Sequence, residues 1–255
     1  MIHRDFTLTI YRRLLETLLS SGFAFQTFAG FLESAEDKTI ILRHDVDKRP
    51  AFALAMAILE AELGLSSSYY FRVVNESYDE PMMRQIAGLG HEIGYHYEDL
   101  ALAHGDMDRA LRSFPLHLEK FRRVVPVKTI CMHGSPLSRW DNRLLWQACD
   151  YRDFGVMGEP YYDIDFSKIL YLTDTGRRWD GQRMNVRDKA AGQRLSRVRS
   201  TSDIIMRAQA GDLPPQIMIN AHPQRWSDAW IPWFNELLLQ NVKNIVKRIV
   251  ARRRS

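Results

Sequence analysis

The stretch Thr39-Ile40-Ile41-Leu42-Arg43-His44-Asp45-Val46-Asp47 carries the fold: a nearly continuous apolar run to His44 that ends in a charged cluster. An apolar run of this length, closed by polar residues, is expected as a strand buried on both faces. Pro50 follows at once and suits the first turn of a helix, expected to continue to Leu63 with Phe52, Ala55, Leu59 and Leu63 on its packed stripe.

Working outward, the same alternation repeats. An opening helix is expected from about Leu8 to Ser20, a strand over Ser67–Arg72, a helix from Asp79 to Leu89 and a strand over His91–Tyr97. A long helix from about Asp106 to Val124 contains Pro115, which should kink or split it. Then come a strand over Val127–Met132, a helix near Asn142–Cys149, strands over Phe154–Met157 and Ile169–Thr173, a helix near Ser202–Ala210, and a strand over Gln216–Ala221. Strands alternating with helices at this spacing make βα units around a mainly parallel sheet. Seven strands fit either a barrel or an open doubly wound sheet, and hydrophobic pattern alone does not separate the two. The 255 residues, 45% hydrophobic, are expected to form a single domain over 1–255.

Chemistry in such folds sits at the C-terminal ends of the strands. Five of the expected strands end in polar residues: Arg43-His44-Asp45-Val46-Asp47, His96-Tyr97-Glu98-Asp99, His133-Gly134-Ser135-Pro136, Asp174, and Asn220-Ala221-His222. Residues i and i+2 of a strand share a face, so Asp45 and Asp47 address one site while Val46 packs away. Two adjacent carboxylates repel unless a cation lies between them. Either a metal is held by one, leaving the other free to accept a proton from water, or they cap the strand-to-helix turn and pair with Lys48 and Arg49. His91 and His96 are five residues apart and lie on opposite faces, so they do not share a metal. A lone histidine is more often structural than a ligand; His96, His133 and His222 are raised by their common rim, whereas His104 and His117 are not.

Several classes are excluded. Ser135 is not in a G-x-S-x-G elbow, and neither G-x-x-x-x-G-K-[ST] nor G-x-G-x-x-G occurs. Cys131 reads as a small core residue. The net charge is +4, yet basic and aromatic residues do not interleave in any one segment, so nucleic acid is not an expected partner. Two cysteines, no secretory signal and no apolar run near ~18 residues favour a cytoplasmic location. The end of the chain, NVKNIVKRIVARRRS, completes a basic amphipathic helix at about 229–254. It either packs on the barrel or makes a peripheral contact with an anionic inner-membrane surface.

Arg43-His44-Asp45-Val46-Asp47, followed about 45 residues later by Gly90-His91-Glu92-Ile93-Gly94-Tyr95-His96, resembles the first two signatures of the polysaccharide deacetylase (NodB-homology) superfamily. The His133-Gly134-Ser135-Pro136 loop falls at the family's third motif. Asp174 to Trp179 resembles its D-x-x-x-W segment with one extra residue, and Asn220-Ala221-His222 its L-x-H motif. The likeness spans roughly 39 to 226 and looks nearest to the WbmS-like group of surface-polysaccharide genes. It implies an α/β fold, a distorted (β/α) barrel of about seven strands of the glycoside hydrolase/deacetylase type. It implies one divalent metal, zinc first, with nickel, cobalt or iron as alternatives.

Carried over, Asp45 is the general base, Asp47 and His96 are metal ligands, His222 is the general acid and Asp174 its orienting partner. Trp179, Arg139 and Tyr97 are the expected substrate contacts. The implied reaction is hydrolysis of an N-acyl group, acetyl or formyl, from a nucleotide-linked or lipid-linked sugar of surface-polysaccharide or O-antigen biosynthesis. Two departures stand out. The family's second metal histidine is Leu100 here, with His133 as the expected replacement and Glu98 next; the third motif also lacks its arginine. The alternatives are a degenerate, glycan-binding member without catalysis, or a hydrolase of another amide or a phosphoester.

Overall fold

A computed structural model describes residues 4–134, 138–179 and 198–254, with side chains described as far as Asn244. Ser135 and Pro136 of the expected third motif, and the apolar and basic side chains after Asn244, lie outside the described residues.

The chain is α/β, and its described residues form seven parallel strands: β1 (Ala24–Gln26), β2 (Thr39–Val46), β3 (Ser68–Phe71), β4 (Glu92–Tyr97), β5 (Ile130–Met132), β6 (Leu170–Thr173) and β7 (Gln216–Ala221). Their order is β5-β4-β3-β2-β7-β6, with β1 pairing the first half of β2. β2 is central: Thr39 to His44 pair with β7, Thr39 to Ile41 with β1 and Arg43 to Val46 with β3.

The sheet is curled. β5 and β6 end the strand order, yet Cys131 and Tyr171 share one interior cluster with Ile41, Tyr70 and Met218. Arg43 on β2 touches both edges, reaching Cys131 Sγ and the Tyr171 hydroxyl. The result is a distorted, incomplete barrel, so the choice left open by hydrophobic pattern falls to the barrel. Phe28 of α2 (Phe28–Glu33) and Ile164, Phe166 and Ile169 close its lower interior.

The outer faces of the strands carry two further cores. One packs Phe71, Tyr95, Tyr97 and Met132 under α4 (Glu80–Gly88) and α6 (Met107–Arg122), through Met83, Ile86, Phe114 and Phe121. The other packs Leu42, Leu172 and Ile219 under α1 (Leu8–Ser20) and α8 (Thr201–Gln209), through Leu14, Leu18, Ile204 and Ile205, with Trp226 after β7 in the same cluster.

Most expected elements appear within a few residues, and the departures have physical causes. The helix after β2, α3 (Pro50–Glu62), turns Ala53, Met56, Ala57, Leu59 and Glu60 inward; of the expected stripe Leu59 is buried and Leu63 packs partly on the core, whereas Phe52 and Ala55 are only half-buried. Glu60 is drawn under the sheet by Tyr11, Ser67 and Tyr69 hydroxyls and by His44 Nε2 at 2.8 Å. α6 runs unbroken through Pro115, because burial of Ala110, Phe114, Leu118 and Phe121 outweighs one lost backbone hydrogen bond. The expected strand at 154–157 is not formed: Tyr151–Phe154 is a 3-10 turn ended by Gly155 at φ +67°, and only Gly158 pairs, with Thr129. Residues Asn142–Gln147 are likewise 3-10, not α-helical. β1 and α2, too short to show a period, were not expected; the remaining helices are α5 (Asp99–Leu102), α7 (Pro160–Asp163) and α9 (Trp230–Arg254).

Gly94 sits on the inner face of β4, where the Tyr70 ring crosses the barrel. A Cβ there would lie 2.3 Å from Tyr70 Cε1 and 3.0 Å from the Thr129 carbonyl oxygen. Gly94→Ala is therefore expected to cost about 1–3 kcal/mol by overpacking. Urea unfolding at unchanged slope would measure it, and an unaltered midpoint would contradict the packing described.

Candidate functional site

Strand alternation builds the site. On β2, Ile41, Arg43 and Asp45 face the barrel interior, while Leu42, His44 and Val46 face the outer cores. His96 on β4, His133 just past β5 and His222 just past β7 arrive at the same rim. His96 Nε2 lies 3.8 Å from Asp47 Oδ1 and 3.9 Å from Asp45 Oδ2. His133 Nε2 lies 3.5 Å from Asp47 Oδ1, and His222 Nε2 lies 4.0 Å from Asp45 Oδ2 and from Asp47 Oδ2.

Each of these groups is held from behind. Asp45 Oδ2 accepts from Asn220 Nδ2 at 2.9 Å and from Arg43 Nη2 at 3.3 Å, while its buried Oδ1 has no partner. Asp47 Oδ2 accepts from Gln224 Nε2 at 3.1 Å. His96 Nδ1 donates to the Cys131 carbonyl at 2.9 Å, and His133 Nδ1 meets Glu98 Oε2 at 2.9 Å. Glu98 in turn takes both the Nε and an Nη of Arg72 at 2.8 Å.

The charges follow from these contacts. Burial pushes the Asp45 carboxyl up, but the Arg43 guanidinium, with His96 and His222, holds it below its ordinary value. Asp47 is likewise held well below the usual carboxylate range against burial, by His133, His222 and His96. Burial pushes His96 down to about 4, so its ring is neutral at pH 7. Its Nδ1 proton is committed to a carbonyl oxygen, which leaves a lone pair on Nε2 facing two carboxylates.

Acceptors facing one another at these distances repel unless a cation joins them. Asp47, His96 and His133 each offer one ligand atom, all within 4.8 Å of one another, and could hold a metal ion. A second such group, Asp45, His96 and Cys131, lies deeper, but there Arg43 already contacts Asp45 and Cys131. The donor set of the first group, two imidazoles and a carboxylate, suits a divalent transition metal.

The His222 side is a separate device. Its Nδ1 lies 2.6 Å from Asp174 Oδ1, and its backbone N–H donates to Asp174 Oδ2 at 2.9 Å. Asp174 also accepts from Arg225 Nη1 at 2.5 Å and from the Trp226 indole at 2.8 Å. Burial raises the Asp174 carboxyl, but the charges of Arg225 and His222 bring it to about 2. For His222, burial and Arg225 push the imidazole down, and the Asp174 charge and hydrogen bond outweigh both, so it is raised.

Of the residues expected from sequence, Asp45, Asp47, His96, His133, His222 and Asp174 are brought together. Glu98 stands behind His133 instead of beside Asp47. Leu100 is buried in the outer core, on α5. Tyr97 is not a rim residue: one step from inward-facing His96, it turns outward, and its hydroxyl accepts from the Trp146 indole. Trp179 is not a pocket wall: it is buried among Phe6 and Trp226 and donates to Thr201 Oγ1. Arg139 is exposed, and the cation beside Asp45 is Arg43. Arg43 and Asn220, two residues before Asp45 and His222, were legible from alternation; Gln224, Arg225 and Arg72 carried no sequence signal.

No family model matches the sequence, and no curated protein matches it. Among solved structures the chain is similar to a Streptococcus mutans CE4 esterase, at 12% identity over 86% of this chain and 84% of that one, with a TM-score of 0.46. It is also similar to the family 4 carbohydrate esterase from Streptomyces lividans in complex with acetate, at 13% identity over 82% and 90%, with a TM-score of 0.41. A CE4 family pseudoenzyme from Bacillus anthracis follows at 13% identity and a TM-score of 0.44; the match covers 83% of this chain and spans 62% of that protein's length. At such identity and overlap these are likenesses of chain course, and the fold rests on the strand pairing itself.

Removing the Asp174 charge leaves burial and Arg225, which both lower the His222 pKa, against the smaller raising effect of Asp47. Asp174→Asn is therefore expected to drop His222 below ~6.5, the ordinary histidine value. Nitrogen-detected NMR titration of the ring would measure this; an unchanged value would sink the electrostatic account. In the wild type, the stability contributed by the low Asp174 pKa is complete above about pH 4 and lost as pH falls toward 2.

Proposed function

We propose that the protein is a metal-dependent hydrolase that removes an N-acyl group, acetyl or formyl, from a sugar. The observation that carries the reading is the convergence of Asp47 Oδ1 and the Nε2 atoms of His96 and His133 next to a carboxylate with an unpartnered buried oxygen, Asp45 Oδ1. Asp47, His96 and His133 would hold one divalent ion, zinc first among zinc, nickel, cobalt and iron. When bound, such an ion supplies Lewis acidity that polarises an acyl carbonyl and lowers the pKa of a water.

The remaining steps belong to the chain. Asp45 Oδ1 takes the proton of the attacking water, while Arg43 and Asn220 fix the other oxygen and keep the carboxylate ionised. His222, protonated and steered by Asp174, presents Nε2–H to the departing amine nitrogen. The N-acylated sugar, on a nucleotide or lipid carrier in O-antigen or other surface-polysaccharide biosynthesis, follows from the sequence resemblance. Among the described residues no helix is long and apolar enough to cross a membrane.

Leu100 in place of the family's second histidine favours a second reading, a non-catalytic glycan-binding protein. It has no need of a free Asp45 oxygen or an Asp174-steered His222.

Elemental analysis of untagged protein is expected to find one divalent ion per chain, retained in Asp45→Asn and lost in Asp47→Ala and His133→Ala. Acetate or formate release from N-acylated sugars should fall about 10²–10⁴-fold in Asp45→Asn and in His222→Ala. Undiminished release in Asp45→Asn with metal bound would put the base elsewhere; metal-free wild type after supplementation would favour the glycan-binding reading. Glu98→Gln is expected to weaken metal affinity about 10–100-fold by freeing His133, measured by chelator competition.

A further inference from the structure

The terminal helix α9 is oriented opposite to an ordinary surface helix. Its polar stripe Glu236, Gln240 and Asn244, spaced by four residues, is buried against the body of the protein. Glu236 pairs with Lys48, the residue after Asp47, at 3.4 Å and accepts from Gln240 Nε2 at 2.7 Å; Asn244 Nδ2 donates to the Gly176 carbonyl at 3.1 Å. The inner face of the helix therefore rests beside the candidate site.

Its outer face is apolar. Trp230, Ile231, Phe234, Leu238 and Val242 recur at helical spacing and are between 49% and 75% exposed. A soluble helix places such a stripe inward. The Arg4 guanidinium lies 4.0 Å above the Trp230 ring, adding a cation at the start of the stripe. Beyond it the sequence supplies Lys243, Lys247, Arg248, Arg252, Arg253 and Arg254 with no acid after Glu236, which is itself turned inward.

We propose that the outer face of α9 docks on an anionic phospholipid bilayer, with Trp230, Phe234 and Leu238 in the boundary between headgroups and acyl chains and the cationic end of the sequence supplying attraction to the anionic surface. Charge selects this occupant: every charged residue in the sequence after Glu236 is basic. A second copy of the chain would bring two cationic segments together with no acid on the exposed stripe to meet them. The proposal is independent of the hydrolase reading.

The test is co-sedimentation of the full chain with vesicles of phosphatidylcholine and phosphatidylglycerol, against vesicles of phosphatidylcholine alone. Binding is expected on the anionic vesicles only. Phe234→Glu with Leu238→Glu should lower partitioning at least tenfold. Arg252→Gln, Arg253→Gln and Arg254→Gln together should lower it by about fivefold per cation. Because Phe234 and Leu238 are exposed, thermal unfolding should be unchanged; if the glutamates unfold the protein, Phe234→Ser with Leu238→Gln puts the same question. No binding to anionic vesicles, or equal binding by wild type and the Phe234/Leu238 variant, overturns the proposal. So does a dimer in sedimentation velocity that the same substitutions abolish while vesicle binding is absent.

Discussion

Asp45 and Asp47 bring two like charges to the end of a strand buried on both faces, and much of the surrounding structure answers that burden. An isolated buried carboxylate is not tolerated in ionised form. Here each is held on one oxygen by a donor, Asn220 and Arg43 for Asp45 and Gln224 for Asp47; imidazoles face Asp47 on its other oxygen, and His96 and His222 approach Asp45 on the oxygen already held. The requirement reaches into the barrel. Arg43 must itself be buried to serve Asp45, and its guanidinium then needs the Tyr161 and Tyr171 hydroxyls and Cys131 around it. The upper interior is thus a polar network, whereas the lower interior is filled by Ile41, Met218, Phe28 and Phe166.

The same strand carries a second buried charge system on its other face. His44, one residue from Asp45, points outward to Glu60, which burial raises but His44, His91 and Ser67 hold at about 2. His91, stationed between Ala57 and Ser67, completes that cluster and is remote in role from His96. Two polar systems back to back on β2 explain why α3 turns a glutamate inward at the expense of part of an apolar stripe. Losing one member of such a buried pair costs about 3–5 kcal/mol, so these contacts hold the β2–α3 connection in one register.

The pattern around His133 gives physical meaning to Leu100. Residue 100 enters α5 and is carried into the outer core, so it cannot return to the rim. His133, from the neighbouring strand end, presents its ring to Asp47 instead, with Glu98 and Arg72 fixing its other nitrogen. On the proposed reading, the third ligand would come from a different strand end, with an orienting carboxylate behind it.

Periodicity in the sequence was enough to locate six of the seven strands, six helices and the polar strand ends, because alternation and helical spacing are local properties of a chain. Alternation also placed Asp45 with Asp47 and separated His91 from His96; applied to Tyr97 and Arg43 it would have turned the first outward and the second inward. Short elements such as β1 and α2 left no period to read, and the 154–157 run was apolar enough to imitate a strand. Closure of the sheet, the burial of Trp179, and the parts played by Gln224, Arg225, Arg72 and Glu98 were decided only in three dimensions. Each depends on which residues meet across the barrel, and hydrogen bonds between positions as distant as Asp47 and Gln224 leave no trace in local spacing.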